Sequence, residues 1–570
     1  MVGPVERVIT RGQSGSPTRR QPGTGLLIAG AIAFAAALVS YAGYKFTHSS
    51  ASTSSPVDLH VYRIGGLIVR HIRPYYDPHR ATPLYDYPGY GRYQLKFTYP
   101  PFAAVVFAVL SFIPWSLLLV LTDLAQVVFL VAALWFTFGG LGYRQSSRVR
   151  LGATLLTAGA VFWTEPVIRT IYVGQVNLAL MALIMWDLCQ PDTKASRWWK
   201  GAGVGIAAGI KLVPLIFIPY LLLTRKFRQA AVASAAFAAT VVIPFAFAPA
   251  DSAKWWFGGL FINDAGRTGF LGWVANQSLR GLIARLMGSV AGSDHVWLAA
   301  AAATAVIGLA AAALLDRKGH AVAGILTCAL TGLLVSPVSW DHHWVWGVPG
   351  VAVAAHYATA AMAAGTRPAV PGQAAWRRWA RRAGDWAYSL SGVGYWALAA
   401  GMLVIYWAWP GGFWGKPKNL PPFSMGMIWA PNTYIVLYNR VGDQPWLPEY
   451  HWHGLQLLTG NGFVLGGLAL LVILVVLALI APAQRPSVVG PAVVGPAVVG
   501  PAMAGPAVEP ERPAAVPPAA VQSGAVQPGA VQPGAVPDRL EVPQGAGVAA
   551  PAPDTPPLGS DLAGNPSAGG

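Results

Sequence analysis

Asp58 stands first among the residues able to do chemistry. It lies in Pro56-Val-Asp-Leu-His-Val-Tyr62, the first water-facing stretch after the opening apolar run. A carboxylate there can take a proton from a hydroxyl, or it can cap a helix that starts after Pro56. Asp341-His342-His343 sits among Trp340, Trp344 and Trp346. That cluster reads as a contact to sugar or phosphate, as interface residues, or as a metal site. Adjacent histidines generally point apart and a metal wants three or four ligands, so no cofactor and no metal is expected; a divalent ion at Asp341, His342 and His343 is the lesser reading. Lys211 interrupts the apolar stretch Gly-Ile-Ala-Ala-Gly-Ile-Lys-Leu-Val-Pro214. A lysine at membrane depth is costly and points to function, unless it snorkels to the headgroups. Its point charge suits a phosphate. Arg280, in Asn276-Gln-Ser-Leu-Arg-Gly281, offers a fork of N–H donors for the same task or meets a headgroup. Glu165, Gln175, Asn276 and Gln277 are polar groups fit to recognise hydroxyls. Glu165 equally starts a helix, and Gln175 and Asn177 equally join helices. Asn276-Gln-Ser278 also fits a glycosylation pattern, too short and common to carry weight.

Elements that hold such groups must be read from the hydropathy. Of 570 residues, 54% are apolar and only 11% charged, and the mean hydropathy is +0.48. Repeated apolar runs of about 20 residues mark helices crossing a hydrocarbon core about 30 Å thick. The fold class is therefore an all-α polytopic membrane protein. The net charge of +17 would suggest nucleic acid in a soluble domain. Here much of the basic excess falls in short loops between apolar runs, as the positive-inside rule asks, and membrane lipids, not nucleic acid, are the expected surroundings. Cys189 and Cys328 lie far apart in or beside apolar runs and are expected to form no disulfide and no metal site.

Residues 1–24 are a polar segment with Arg7, Arg11, Arg19 and Arg20, expected in the cytoplasm. The run 25–45 is longer than a signal peptide's apolar region and reads as an uncleaved anchor. Residues 47–98 are then extracytoplasmic, and 102–113, bounded by prolines, reads as an interfacial or re-entrant helix. Further spans are expected near 116–138, 151–164, 174–190, 201–210, 212–223, 229–248, 296–315, 321–335, 345–363, 388–409 and 459–482, about twelve in all. The loops Lys194–Lys200, Arg225–Arg228, Arg317–Lys318 and Arg377–Arg382 then share the cytoplasmic side. The segments 201–210 and 212–223 are short, which is tolerated where helices line a cavity. The membrane part is thus 25–482. Val-Val-Gly-Pro-Ala and Gly-Ala-Val-Gln-Pro repeats fill 483–570, which reads as a disordered cytoplasmic tail.

Six motifs occur in order: Val57-Asp-Leu-His-Val-Tyr62, Phe97-Thr-Tyr-Pro-Pro-Phe-Ala-Ala104, Gly174-Gln-Val-Asn177, Gly209-Ile-Lys-Leu-Val-Pro214, Asn276-Gln-Ser278 and Ser336-Pro-Val-Ser-Trp-Asp-His-His-Trp-Val-Trp346. As a set they resemble the actinobacterial polyprenol-phosphate-mannose-dependent α-mannosyltransferases, a family of the GT-C class whose members extend phosphatidylinositol mannosides with α-1,2-linked mannose. The resemblance covers roughly 25–365. It implies a GT-C-like bundle with extracytoplasmic interfacial helices and an active site on the outer face of the plasma membrane. It implies polyprenyl-phosphomannose as donor, a mannosylated glycolipid or glycan as acceptor, Asp58 as catalytic base, and one of His342 and His343 at the donor site. Lys211 and Arg280 join them around the donor phosphate and sugar. The loop 410–458, with His451 and His453, lies outside the resemblance.

Two other readings compete. One is an arabinofuranosyltransferase using polyprenyl-phosphoarabinose on a similar scaffold. The other is a transporter or flippase of lipid-linked sugars, which calls for inverted repeats and mid-bilayer charges; the polar clusters instead collect at one face. No Gly-rich phosphate loop occurs, which disfavours a soluble nucleotide-sugar donor.

Overall fold

A computed structural model describes residues 23–47, 56–71, 83–87, 89–90, 95–143, 147–263, 271–365, 375–408, 426–429, 431 and 448–483. The segment 1–22, most of the 410–458 connection and the tail from 484 lie outside the described residues. The chain divides into two units, 1–492 and 493–570, and everything described belongs to the first.

Among the described residues the fold is helical, with only isolated β-bridges. The order is α1 (Thr24–Thr47), α2 (Val57–Val69), α3 (Pro101–Phe107), α4 (Trp115–Gly140), α5 (Ser147–Val161), α6 (Glu165–Val173) and α7 (Asn177–Cys189). Then come α8 (Ala202–Ile210), α9 (Phe217–Leu223), α10 (Phe227–Val242), α11 (Pro249–Trp256), α12 (Leu260–Asn263), α13 (Leu279–Met287) and α14 (Asp294–Arg317). Last are α15 (Ala321–Val335), α16 (Gly347–Gly365), α17 (Ala375–Ile405), α18 (Leu455–Gly460) and α19 (Gly462–Ile480). A 3-10 turn, Asp341–Trp346, joins α15 to α16.

Among the described residues five helical stretches are long and apolar enough to cross a membrane: 24–47, 115–140, 227–246, 294–317 and 462–480. A sixth candidate is the pair α6–α7, bent by 116°. Their outward faces are apolar, with Val39 72% and Val306 71% exposed, as lipid contact requires. Of the other expected spans, 201–210 and 321–335 are shorter helices: α8 has nine residues, about 14 Å at 1.5 Å per residue, and α15 has fifteen, while 345–363 and 388–409 fall on the longer helices α16 and α17. The segment 101–112 is a helix that tightens to 3-10, with Pro100 capping it, Pro101 as its first residue and Pro114 after it. At about 18 Å it is too short to cross. Cys189 and Cys328 are buried free thiols.

Two local features position the site. The expected span 174–190 does not begin as a straight continuation of what precedes it. Gly174 closes α6 in the left-handed region (φ +72°), and a Cβ there would also lie 2.7 Å from Leu59 Cβ. Only glycine meets both demands, so the chain turns sharply and presents Gln175 toward α2. The second feature is the break at Lys211, between α8 and the 3-10 turn Val213–Ile216, where Pro214 cannot continue α8.

Candidate active site

Asp58 is the second residue of α2, whose N-cap is Pro56 and makes no side-chain cap. The carboxylate therefore does not close the helix end. It accepts a hydrogen bond from Gln175 Nε2 (3.1 Å). The residue is half-buried. Burial pushes its pKa up from the usual carboxylate value; His342, Lys211, Arg169 and the Gln175 N–H offset only part of that rise.

Gln175 is the hub of the site. Its side-chain oxygen accepts from Tyr99 OH (2.8 Å), from Tyr62 OH and from Val176 N (3.0 Å). Its backbone carbonyl accepts from Gln126 Nε2 of α4 (2.6 Å). Three donors on the amide oxygen force the NH2 group toward Asp58 and toward His342 Nε2, 3.5 Å away.

A second group lies on the other side of His342. Lys211 Nζ donates to Asn177 Oδ1 (2.9 Å) and reaches His343 Nε2 (2.9 Å). Asn177 Nδ2 and Thr170 Oγ1 both donate to the His342 carbonyl, at 2.8 and 3.1 Å. Among the described residues no carboxylate lies within ion-pair distance of Lys211, and its two hydrogen-bond partners are neutral, so an N–H remains to meet an anion. Burial, then Lys211 and His342, hold the His343 pKa well below the usual imidazole value, which suits a ring that accepts from an ammonium. The rings of His342 and His343 are nearly perpendicular (87°) and serve different partners. Among the described residues no three His, Cys, Asp or Glu side chains converge as a metal cage.

From Lys211 and His343 a crevice of roughly 520 Å³ runs between α7, α9 and α15, lined by Met181, Ile184, Phe217, Leu333 and Trp346. It is polar at one end and apolar along its length. A larger crevice of about 900 Å³ lies among α15, α16, α17 and α19, but no carboxylate or lysine lines it.

The structure thus joins Asp58, Gln175, Lys211, His342 and His343, drawn from stretches far apart in sequence. It does not bring Arg280 there. Ser278 caps α13 by accepting from Gly281 N (3.1 Å). That start aims Arg280 at Asp294 (2.7 Å) and over the Trp297 ring. Asn276 and Gln277 are also elsewhere, fully buried. Asn276 binds the Leu271 and Pro337 carbonyls and the Ser339 and Ser278 amides. Gln277 binds the Val274 and Gly460 carbonyls and the Phe463 and Val464 amides. Their polar atoms are fully committed to backbone, and they pin the 273–278 loop to 337–341 and to α19. Glu165 starts α6, fully buried; one oxygen accepts from Trp429 Nε1, and its carboxyl also lies against that of Asp341.

Several members were not expected from residue type. Tyr62 lies four residues after Asp58 on the same helix face, a spacing that was readable. Tyr99 and Asn177 sit inside the recurring motifs. Arg169 carried the same signal as Lys211, an ionisable residue in an apolar helix, but was not singled out.

Comparison with known proteins gives the family. The profile Glycosyltransferase family 87 matches residues 97–337, which takes in Gln175, Asn177 and Lys211 but not Asp58 or the histidine pair. A polyprenol-phosphate-mannose-dependent alpha-(1-2)-phosphatidylinositol pentamannoside mannosyltransferase from Mycobacterium tuberculosis is 38% identical over 305 residues, 53% of this chain and 67% of that protein. The corresponding protein of Mycolicibacterium smegmatis is 36% identical over 294 residues, 51% of this chain and 68% of its own length. A polyprenol-phosphate-mannose-dependent alpha-(1-2)-phosphatidylinositol mannoside mannosyltransferase from Mycobacterium tuberculosis is 32% identical over 323 residues, 55% of this chain and 73% of its own. No solved structure matches the chain. With ordered motifs, a matching profile and relatives covered over two thirds of their length, the chain belongs to glycosyltransferase family 87.

Proposed function

We propose that this enzyme moves mannose from polyprenyl-phosphomannose to a hydroxyl of a mannosylated glycolipid, forming an α-1,2 linkage with inversion. The reaction takes place at the outer face of the plasma membrane, in a GT-C-type bundle of about twelve spans over 25–482, with 1–24 and 483–570 on the cytoplasmic side. The observation that carries the reading is one recess holding a carboxylate with no cation on it, Asp58, and a lysine with no ion-pair partner among the described residues, Lys211, across the Gln175–His342 pair.

Such a pair suffices for the chemistry. Asp58 takes the acceptor hydroxyl proton as the oxygen attacks the anomeric carbon. The carbon–oxygen bond to phosphate breaks, and the polyprenyl phosphate leaves with the electron pair as a stable anion. It needs no general acid, only charge stabilisation, which Lys211 supplies. Hydrolases that protonate a sugar leaving group use two carboxyls; one is enough here. The apolar crevice beyond Lys211 suits an isoprenoid chain whose phosphate rests at the polar end.

The test is mass spectrometry of glycolipids after purified protein meets polyprenyl-phosphomannose and phosphatidylinositol mannosides. Addition of one hexose, resistant to digestion unless an α-1,2-mannosidase is used, is expected. Addition of a pentose from polyprenyl-phosphoarabinose, or movement of labelled donor across vesicles without covalent transfer, would replace the proposal.

A further inference from the structure

Asp341 has no place in the bond-making step just described, yet it is fully buried within the same recess. Its Oδ1 accepts from the His342 backbone N (2.8 Å) and faces His342 Nδ1 at 2.9 Å. Its Oδ2 accepts from Arg169 Nε (3.1 Å), on a guanidinium that is itself buried against the Trp429 ring. A carboxylate ringed by donors can only accept, so the proton facing it must sit on His342 Nδ1. The Nε2 lone pair then faces Gln175, whose N–H bonds are aimed that way by the two tyrosines and Val176.

We infer that Asp341 is a positioning residue: with Arg169 it holds His342 as the Nδ1–H tautomer, so that the two N–H bonds of Gln175 fall on His342 Nε2 and on Asp58 Oδ2. The arrangement leaves Asp58 Oδ1, which has no hydrogen-bond partner among the described residues, as the oxygen that meets the acceptor hydroxyl. The inference rests on Asp58 being the base, but it is read out separately below.

The discriminating change is Asp341→Asn. Arg169 can only donate, so the new amide turns its oxygen to Arg169 and its NH2 to His342. His342 Nδ1 must then accept, and the proton moves to Nε2, opposite the Gln175 N–H. Two donors now face each other, and Gln175 can no longer hold Asp58. Turnover is expected to fall about 100-fold or more, with the donor KM unchanged within about threefold. A mere loss of charge balance would not change the tautomer, so the decisive readout is 15N NMR of the histidine-labelled, detergent-purified full chain. His342, assigned by subtraction of a His342→Gln spectrum, is expected as the Nδ1–H form in the native protein and as the Nε2–H form in the Asp341→Asn variant. The native spectrum tests the idea even where the variant fails to fold: a native Nε2–H tautomer overturns it. So does an Asp341→Asn enzyme that keeps the native tautomer or turns over within threefold of the native rate. Should Asp58→Asn retain turnover, the base assignment fails, whatever the His342 spectrum shows.

Discussion

Replacing Asp58 by asparagine keeps the shape of the side chain and removes its ability to take a proton. Gln175 Nε2 still needs an acceptor, so the asparagine oxygen takes the place of Oδ2, 3.1 Å from that nitrogen. The amide NH2 then occupies the Oδ1 position and meets the acceptor hydroxyl donor to donor. Loss of general-base help is worth about 10²- to 10⁴-fold, or about 2.7 to 5.4 kcal/mol at about 1.36 kcal/mol per decade. The opposed donors place Asp58→Asn in the upper half of that range. Donor binding should hold or tighten, because the variant removes a negative charge that competes with phosphate for Lys211. Stability should hold or rise as well. A carboxyl whose folded pKa is raised opposes folding at pH above its ordinary value, and the neutral amide does not. The assay is turnover of purified protein with polyprenyl-phosphomannose, with donor titration and thermal melting in detergent on the same preparations. A turnover within tenfold of the native rate, from a protein that melts normally, would refute the reasoning.

Lys211→Met removes a charged donor at the head of the apolar crevice, an interaction worth about 1.5–3 kcal/mol; the donor KM should rise about 10- to 150-fold, and an unchanged KM would remove Lys211 from the phosphate. The pH profile of kcat/KM should carry an acid limb, because Asp58 is protonated and useless below its own pKa. Burial raises that pKa, so the limb lies above the ordinary carboxylate value of about 3.9; activity flat down to pH ~4 would contradict it. Arg280→Gln breaks a pair with Asp294 that is exposed on the aspartate side and worth about 0–1 kcal/mol. Its turnover and donor KM should stay within about twofold of native, and a KM rise like that of Lys211→Met would return Arg280 to the donor site.

Hydropathy and the cost of placing particular side chains near lipid are properties of the chain itself. They determined, without coordinates, a helical membrane protein, the ordered motifs of its family, and the residues Asp58, Lys211, His342 and His343 as those worth watching. An ionisable group in an apolar setting is conspicuous wherever the helices go. Partnership is a different kind of fact. Gln175 meets Asp58 across 117 positions and Asp341 meets Arg169 across 172, and both meetings depend on the turn at Gly174 and on how the 341–346 turn packs against α6 and α7. The same dependence sent Arg280 to Asp294 and folded Asn276 and Gln277 into the backbone, although by type they matched the residues that reached the site. A polar side chain can satisfy itself on a ligand or on its own protein at nearly equal free energy, and only the packed helices decide which donor and acceptor stand within 3 Å of it.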